Sequence, residues 1–491
     1  MSTGSAASIG GDARHWDILS EPPVSRFLNV IRHELETVVA PDLRSERGRS
    51  VVAMMQSVLD HLIVRLDGLE PLRSSLDQAS AAALQALQAI LEATAPTMPL
   101  RDLPAGNALE NTIAELMRRL PDLPESSRRA AWEVVRSVTT SERALHDAVE
   151  RQEQAVTAAT AALAPPALVP AELQVYLNAR APAGSAIEVD SITTPLGGYS
   201  KDTFIVSLRG AGRPADGIVI RCDVPNGPLE GSVRGEFAVI EAMFEAGVPV
   251  AEPLWLEADS AAMGRPFIVV RQVPGEQLLD MKLDVVGKGA VDCVRQLARV
   301  LAQIHRVDPK TAGLGDAELS QPASAPILRL LDQFEAQWHR RRMGPSSTIA
   351  AGLAWMRNNI PGTLPSPRIV HGDATLRNML FADGRVTAML DWETWHLGDP
   401  GEDLAYCRSE VERFMPWDEF VAEYSAGGGV RPSPESERYW GMWMYLRGAI
   451  TSVTMMDRLM LQPPADIRPA FGGPHFTRFC IRKVADYLQT V

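Results

Sequence analysis

The hydrophobic period of this chain changes once, near Pro170, and that change excludes a fold built from a single kind of layer. Ahead of it Val24, Leu28, Ile31, Leu35 and Val38 alternate spacings of four and three, and Met55, Val58, Leu59, Leu62 and Leu66 do the same, placing each set on one helix face. Residues 75–93, 108–120 and 126–150 continue the helical pattern between Pro- and Gly-containing breaks. Residues 22–163 are therefore expected to form a small helical bundle. Beyond Pro170 short runs over 187–194, 203–208, 217–222, 251–257 and 266–273 read as strands, with a helix over 230–246 and mostly helices after 285. The expected fold class is α+β, with a β-rich small lobe over 171–275, a helical large lobe over 276–491 and an all-α bundle in front. Residues 164–170, rich in Ala and Pro, read as a stiff linker that holds the bundle apart as a separable accessory, and residues 1–21 as a disordered tail.

Composition narrows the function. A chain of 491 residues with 46% hydrophobic content has material for two or three domains. A net charge of −13 leaves no basic stripe to neutralise phosphates, so a nucleic-acid binder is not expected. The four cysteines, Cys222, Cys293, Cys407 and Cys480, include no C-x-x-C pair, which argues against a zinc site or a disulfide framework. Residues 1–11 lack the charged start and apolar core of a signal peptide, and no run of about 18 apolar residues suits a membrane span. A cytoplasmic location is expected.

Chemistry concentrates in Ile369-Val-His371-Gly-Asp373-Ala-Thr-Leu-Arg-Asn378 and in Ala388-Met-Leu-Asp391-Trp-Glu393. Short apolar runs at 368–370, 379–381 and 386–390, with Ala382-Asp-Gly384 as a hairpin turn, put these residues in a strand–loop–strand frame. In that frame Asp373 is placed to accept a proton from an attacking hydroxyl, while Asn378 and Asp391 offer two hard oxygens for Mg²⁺ held against phosphates. Isolated, an Asp five residues before an Asn would read as turn chemistry. The apolar strand that ends at Asp391 is what argues otherwise, because an acid there is costly to bury without a partner or a metal.

The pattern H-G-D-x4-N followed by D-x-[DE] resembles the aminoglycoside phosphotransferase and choline kinase group of kinase-like enzymes. Asp391-Trp-Glu393, Gly398-Asp399-Pro400 and Asp403-Leu-Ala405 resemble in particular the branch associated with acyl-CoA dehydrogenases. The resemblance covers about residues 171–491 and implies a bilobal protein-kinase-like fold using ATP and Mg²⁺. It implies phosphate contact at Gly197, Gly198 and Ser200, with phosphate and solvent both open to Lys201. It also implies a phosphate-binding cation at Arg221 paired with Glu236, and an adenine connector at Arg271, Gln272 and Val273. His371 is implied as a loop support and Glu393 as an outer metal or substrate contact, with a surface ion pair as its alternative. Asp399 reads as a helix cap, and Asp403, in the first turn of that helix, as an acceptor for catalytic-loop N–H groups.

Trp440, Trp443 and Arg447 form an aromatic and cationic stripe that suits an acceptor pocket, and core packing accounts for the two Trp equally well. The expected function is an ATP-dependent kinase acting on a hydroxyl of a small molecule, a lipophilic alcohol or hydroxyacyl compound ahead of an aminoglycoside or choline. The alternative of another class is a catalytically silent pseudokinase serving as a nucleotide- or partner-binding module. The N-terminal bundle is expected to serve a homodimer or a partner enzyme, or to shape the acceptor site.

Overall fold

The computed structural model describes residues 28, 31–33, 35–44, 46–67, 70–94, 105–153, 168–194, 201–223, 232–258, 264–277, 288–315, 319–341, 345–461 and 468–490. In the N-terminal part Leu35–Val39 is a π-helical turn running into Ala40–Asp42, and four longer helices follow: α1 (Glu46–Asp67), α2 (Glu70–Thr94), α3 (Ala105–Arg119) and α4 (Glu125–Glu153). Of the residues that define the first expected helix, Val24 lies outside the described residues, while Leu28 and Ile31 are helical and Leu35 and Val38 fall in the π-helical turn.

The small lobe begins with α5 (Pro170–Arg180), where a linker was expected to end. Pro170 occupies the first turn, where its missing N–H costs nothing. Leu173 and Leu177 point inward, and the Asn178 side chain zips to Ile187, accepting from its N–H at 2.9 Å and donating to its carbonyl at 2.7 Å. The sheet comprises β1 (Glu188–Thr193), β2 (Lys201–Arg209), β3 (Gly217–Asp223), β4 (Pro253–Glu257) and β5 (Phe267–Arg271), antiparallel in the order β1-β2-β3-β5-β4. Its period of two divides the work between the faces. Phe204, Val206, Leu208, Ile218, Ile220 and Cys222 are buried against α5, which leaves Ile205, Val219 and Arg221 on the face turned to the large lobe. Between β3 and β4 runs α6 (Val233–Glu245), N-capped by Ser232 and closed by Gly247 at φ +75°.

The large lobe contains β6 (Glu276–Gln277), α7 (Lys288–Arg306), α8 (Ala325–Arg341), α9 (Ser347–Asn358), β7 (Arg368–Val370), β8 (Met379–Ala382), β9 (Arg385–Met389), β10 (His396–Gly398), α10 (Gly401–Val411), α11 (Trp417–Ala426), α12 (Pro434–Leu461) and α13 (Arg468–Gln489). The β8–β9 turn places Asp383 at φ 50° and Gly384 at φ 73°, the conformation an Asp-Gly hairpin requires. Strand β10, which the sequence did not suggest, pairs antiparallel with β7 and brings Thr394 under the loop after β7, while Trp395 Nε1 donates to the Gly235 carbonyl of α6 at 2.9 Å. No helix among the described residues is long and apolar enough to cross a membrane.

The N-terminal helices do not stand apart. Leu87, Leu91, Leu109, Ile113, Leu116, Val135 and Val138 belong to one apolar cluster with Trp338, Trp355, Tyr439, Trp443, Leu446 and Val484 of the large lobe. Polar contacts reinforce the join. Trp338 Nε1 donates to Glu110 Oε1 at 2.7 Å and Asn358 Nδ2 to the Met117 carbonyl at 2.8 Å. Glu142 of α4 accepts from Ser346 Oγ at 2.5 Å and from Thr348 N and Oγ1 at 2.9 and 2.7 Å, closing the N-terminus of α9. This shared core corrects the expectation of a separable accessory. A chain starting at residue 168 would expose an apolar face of α9, α12 and α13, and is expected to be less soluble and to melt lower than the full chain. Ile113→Ala, at a wholly buried position, should cost about 2–5 kcal/mol in urea unfolding.

Candidate active site

The site lies between the β3 face of the small lobe and the loops after β7 and β9. Arg221 leaves β3 on the large-lobe side, and its planar guanidinium meets two carboxylates: Nε lies 2.8 Å from Glu236 Oε1 of α6, and Nη2 lies 2.8 Å from Asp391 Oδ1. Glu236 is buried, so the pair is shielded from water. Burial works against the charge on Arg221, but Glu236, Asp391 and Glu393 outweigh it and hold the guanidinium firmly charged. Lys201 is also turned inward, paired with Asp223 at the end of β3.

Asp391 adopts a left-handed conformation, φ 66° and ψ 60°, which Asp tolerates better than bulky or β-branched residues. Strand β9 has already ended at Met389, and a single 3₁₀ turn, Trp392–Thr394, follows. Glu393, two residues on, is therefore placed by that turn and not by strand alternation, and it contributes to the field at Arg221.

The loop after β7 is fixed through its backbone. Gly372 has φ +80°, and a Cβ there would lie 2.6 Å from the Thr394 carbonyl oxygen, so glycine alone fits. Asp403, fully buried in the first turn of α10, accepts from His371 N at 2.8 Å, Gly372 N at 2.7 Å and His305 Nε2 at 3.0 Å. Burial would raise its carboxyl, but the His305 hydrogen bond and the neighbouring charges and N–H groups more than reverse this and hold it below the usual range. His371 is buried with its ring 4.6 Å from that of Trp392. Its Nδ1 receives the Asp373 N–H at 3.2 Å while Nε2 faces the Leu390 carbonyl at 2.9 Å, an arrangement that fits the neutral tautomer with hydrogen on Nε2.

Asn378 Nδ2 donates to both the Asp373 carbonyl and its Oδ2, each at 2.8 Å. Because both partners are acceptors, the amide orientation is determined and Oδ1 faces away from Asp373. The Asn378 carbonyl accepts from Leu390 N at 2.7 Å, which sets Asn378 beside Asp391. Tyr406 of α10 hydrogen-bonds to Asp373, and burial together with that carboxylate raises its phenol. Nothing in the sequence marked Tyr406 beyond its place three residues after Asp403.

A cavity of about 290 Å³ opens beside Arg221, Glu236 and Asp391. Ile205, Val219, Val270, Leu380 and Met389 give it apolar walls, and Arg271, Gln272 and Val273 run along its edge. Arg271 itself pairs with Glu252, and Gln272 N donates to the Gly217 carbonyl at 3.0 Å. Gly197, Gly198 and Ser200 lie outside the described residues.

Three residues expected at an acceptor pocket sit elsewhere. Trp440 and Trp443 are each 1% exposed, with their indole N–H groups given to Asp399 Oδ2 at 2.9 Å and Glu402 Oε1 at 2.8 Å. They are core residues, since no surface of either ring is left for a small molecule. Arg447 is buried as well and donates to the Gly372 carbonyl. Asp399 also accepts from Gly401 N at 2.8 Å, at the start of α10, and from Ser436 Oγ at 3.0 Å.

Comparison with known proteins agrees with this geometry. The model of the phosphotransferase enzyme family matches residues 191–440, just over half of the chain. The chicken protein named acyl-CoA dehydrogenase family member 11 is 29% identical over 271 residues, covering 53% of this chain and 33% of that protein. This chain therefore spans about a third of that relative's length. A homoserine kinase from Methylocella silvestris is 26% identical over 219 residues, 42% of this chain and 63% of that one. A solved structure from Ralstonia eutropha JMP134, provisionally named an aminoglycoside phosphotransferase, shares the fold at 22% identity with a TM-score of 0.51, covering 65% of this chain and 98% of that chain. With the match spanning most of the small-lobe sheet, the Asp373 loop and Asp391, the chain belongs to the phosphotransferase enzyme family.

Proposed function

We propose that this protein is a Mg²⁺- and ATP-dependent kinase that phosphorylates a hydroxyl of a small molecule. The observation that carries the reading is the position of Arg221, charged and joined to Glu236 and Asp391 beside an apolar cavity, with Asp373 and Asn378 bonded to each other next to Asp391. The apolar walls suit an adenine ring and the Arg271–Val273 edge offers peptide groups to it. Arg221 offers a fork of N–H donors to phosphate oxygens.

The donor chemistry fits Mg²⁺. Asn378 Oδ1 and the Asp391 carboxylate oxygen not engaged by Arg221 are hard oxygen ligands, and an ion of this kind takes few protein ligands and completes its shell with phosphate and water. Once bound, it would neutralise charge on the phosphates. Asp373, steadied by Asn378 and Tyr406, orients the acceptor hydroxyl and takes its proton as the bond from that oxygen to the γ-phosphorus forms and the bond from the γ-phosphorus to the bridging oxygen breaks, with ADP as the leaving group.

For the acceptor, a lipophilic alcohol or a hydroxyacyl compound is favoured by the similarity to proteins named for acyl-CoA dehydrogenase. The N-terminal helices support the large lobe through the shared core, and a homodimer or partner enzyme is proposed to use their outer face. ATP consumption across alcohols, hydroxy acids, hydroxyacyl-CoAs, homoserine, choline and aminoglycosides tests the reading. If the protein neither binds Mg-ATP nor turns it over with any acceptor, the kinase assignment fails and the pseudokinase remains.

Asp373→Asn is expected to lower turnover by about 10²- to 10⁴-fold while ATP affinity, read by calorimetry, stays at the parent value. Asn378→Ala and Asp391→Ala should both shift the Mg²⁺ dependence of the rate to higher concentration, Asp391→Ala further because it removes a full charge. Arg221→Lys should retain weakened nucleotide binding. Arg221→Met should lose it and also unfold more easily, by about 3–5 kcal/mol, because Glu236 is left buried without its cation.

A further inference from the structure

Arg447 is a buried cation on α12, beyond the stretch that the family model matches. Burying a guanidinium is costly unless its charge is matched and its N–H groups are used. Here Nη1 donates to the Gly372 carbonyl, Glu402 Oε1 lies 3.7 Å away, and the guanidinium carbon sits 5.3 Å from the centre of the Tyr406 ring. Glu402, itself buried, is held in turn: Trp443 Nε1 donates to Oε1 at 2.8 Å and His396 Nε2 to Oε2 at 2.9 Å. The other ring nitrogen of His396 faces the Thr394 carbonyl at 3.1 Å. With an acceptor at each nitrogen, His396 is best satisfied as the imidazolium, so two cations flank one buried carboxylate.

This group acts on one peptide plane. The Gly372–Asp373 unit has its carbonyl held by Arg447 and its N–H held by His371 Nδ1, and the preceding N–H of Gly372 is held by Asp403. The orientation of that plane sets the Cα–Cβ direction of Asp373. Two of these three anchors, His371 and Asp403, come from within or close to the catalytic motifs; Arg447 alone reaches in from α12, whose Trp443 meets Phe334 of α8 edge to face at 5.0 Å. We infer that Arg447, seated by Glu402 and His396, is a positioning residue that fixes the Gly372–Asp373 peptide and with it the aim of the Asp373 carboxylate.

The inference rests on the phosphotransfer reading only for its kinetic arm. Two measurements on the full chain test it, hydrogen exchange over residues 371–378 and turnover of Mg-ATP with the best acceptor found in the panel. Arg447→Met should raise exchange in that loop while residues 480–488 of α13 keep the parent pattern, and should lower kcat about 10²-fold, as a small misplacement of a reacting group does, with KM for ATP nearly unchanged. Arg447→Lys should fall between the two, since a point charge cannot hold both the carbonyl and Glu402. Parent-like loop exchange in the Met variant overturns the inference, as does exchange raised equally through α13, which would mark a general packing role. Should the Met variant fail to fold, the Lys variant decides: raised loop exchange with reduced kcat supports positioning, and parent values of both overturn it. A parent protein without any turnover would defeat the phosphotransfer reading, and the exchange result would still decide the role of Arg447.

Discussion

The contact of Arg221 with both Glu236 and Asp391 is the join on which the site depends, because it is made of three elements that no local rule brings together. Residue 221 comes from β3, 236 from α6 and 391 from the loop after β9. A guanidinium can serve two carboxylates at once because its donors are fixed in a plane. Taken singly, the buried Glu236 would be a liability; paired, it holds α6 against the sheet and turns Arg221 toward Asp391. The left-handed Asp391 follows from the same demand, since an extended residue there would continue β9 and carry the carboxylate away from β3.

What could be read from the sequence was what neighbours in sequence decide. Asp373, Asn378 and Asp391 fall within one strand–loop–strand frame whose Asp383-Gly384 hairpin has a strong local signature, so their proximity was legible. Arg221 and Glu236 were named only through the family resemblance, since a Glu on a helix after a strand reads by itself as a surface residue. The Arg447 to Gly372 bond spans 75 residues, and nothing near either residue announces it. Trp440 and Trp443 suited an acceptor pocket because apolar residues on a helix look the same whether they line a cavity or a core. The difference lies in the distant Asp399 and Glu402, which take the indole N–H groups. β10 is three residues long and α5 starts on a proline, and neither carries enough periodicity to be seen.

A boundary in composition also proved not to be a boundary in packing. The change of period near Pro170 is real, as the helices before it and the sheet after it show. Yet α2, α3 and α4 bury their apolar faces on α9, α12 and α13 across the small lobe's place in the sequence. The buried Glu142 that closes the start of α9 is the clearest case, a cap supplied from 204 residues away. The large lobe is accordingly completed from in front as well as from within.

That arrangement sets an order on synthesis. Helices made ahead of the small lobe have partners made after it: Val138 of α4 must wait for Val484 of α13, a separation of roughly 350 residues, or on the order of 20 to 70 seconds at common rates of chain elongation. Through that interval the small lobe can close on α5, whose contacts are local, while α2 to α4 present an apolar stripe with nothing yet to cover it. The nascent chain must therefore either hold these helices against one another as a provisional bundle or have them sheltered by a chaperone until α13 emerges.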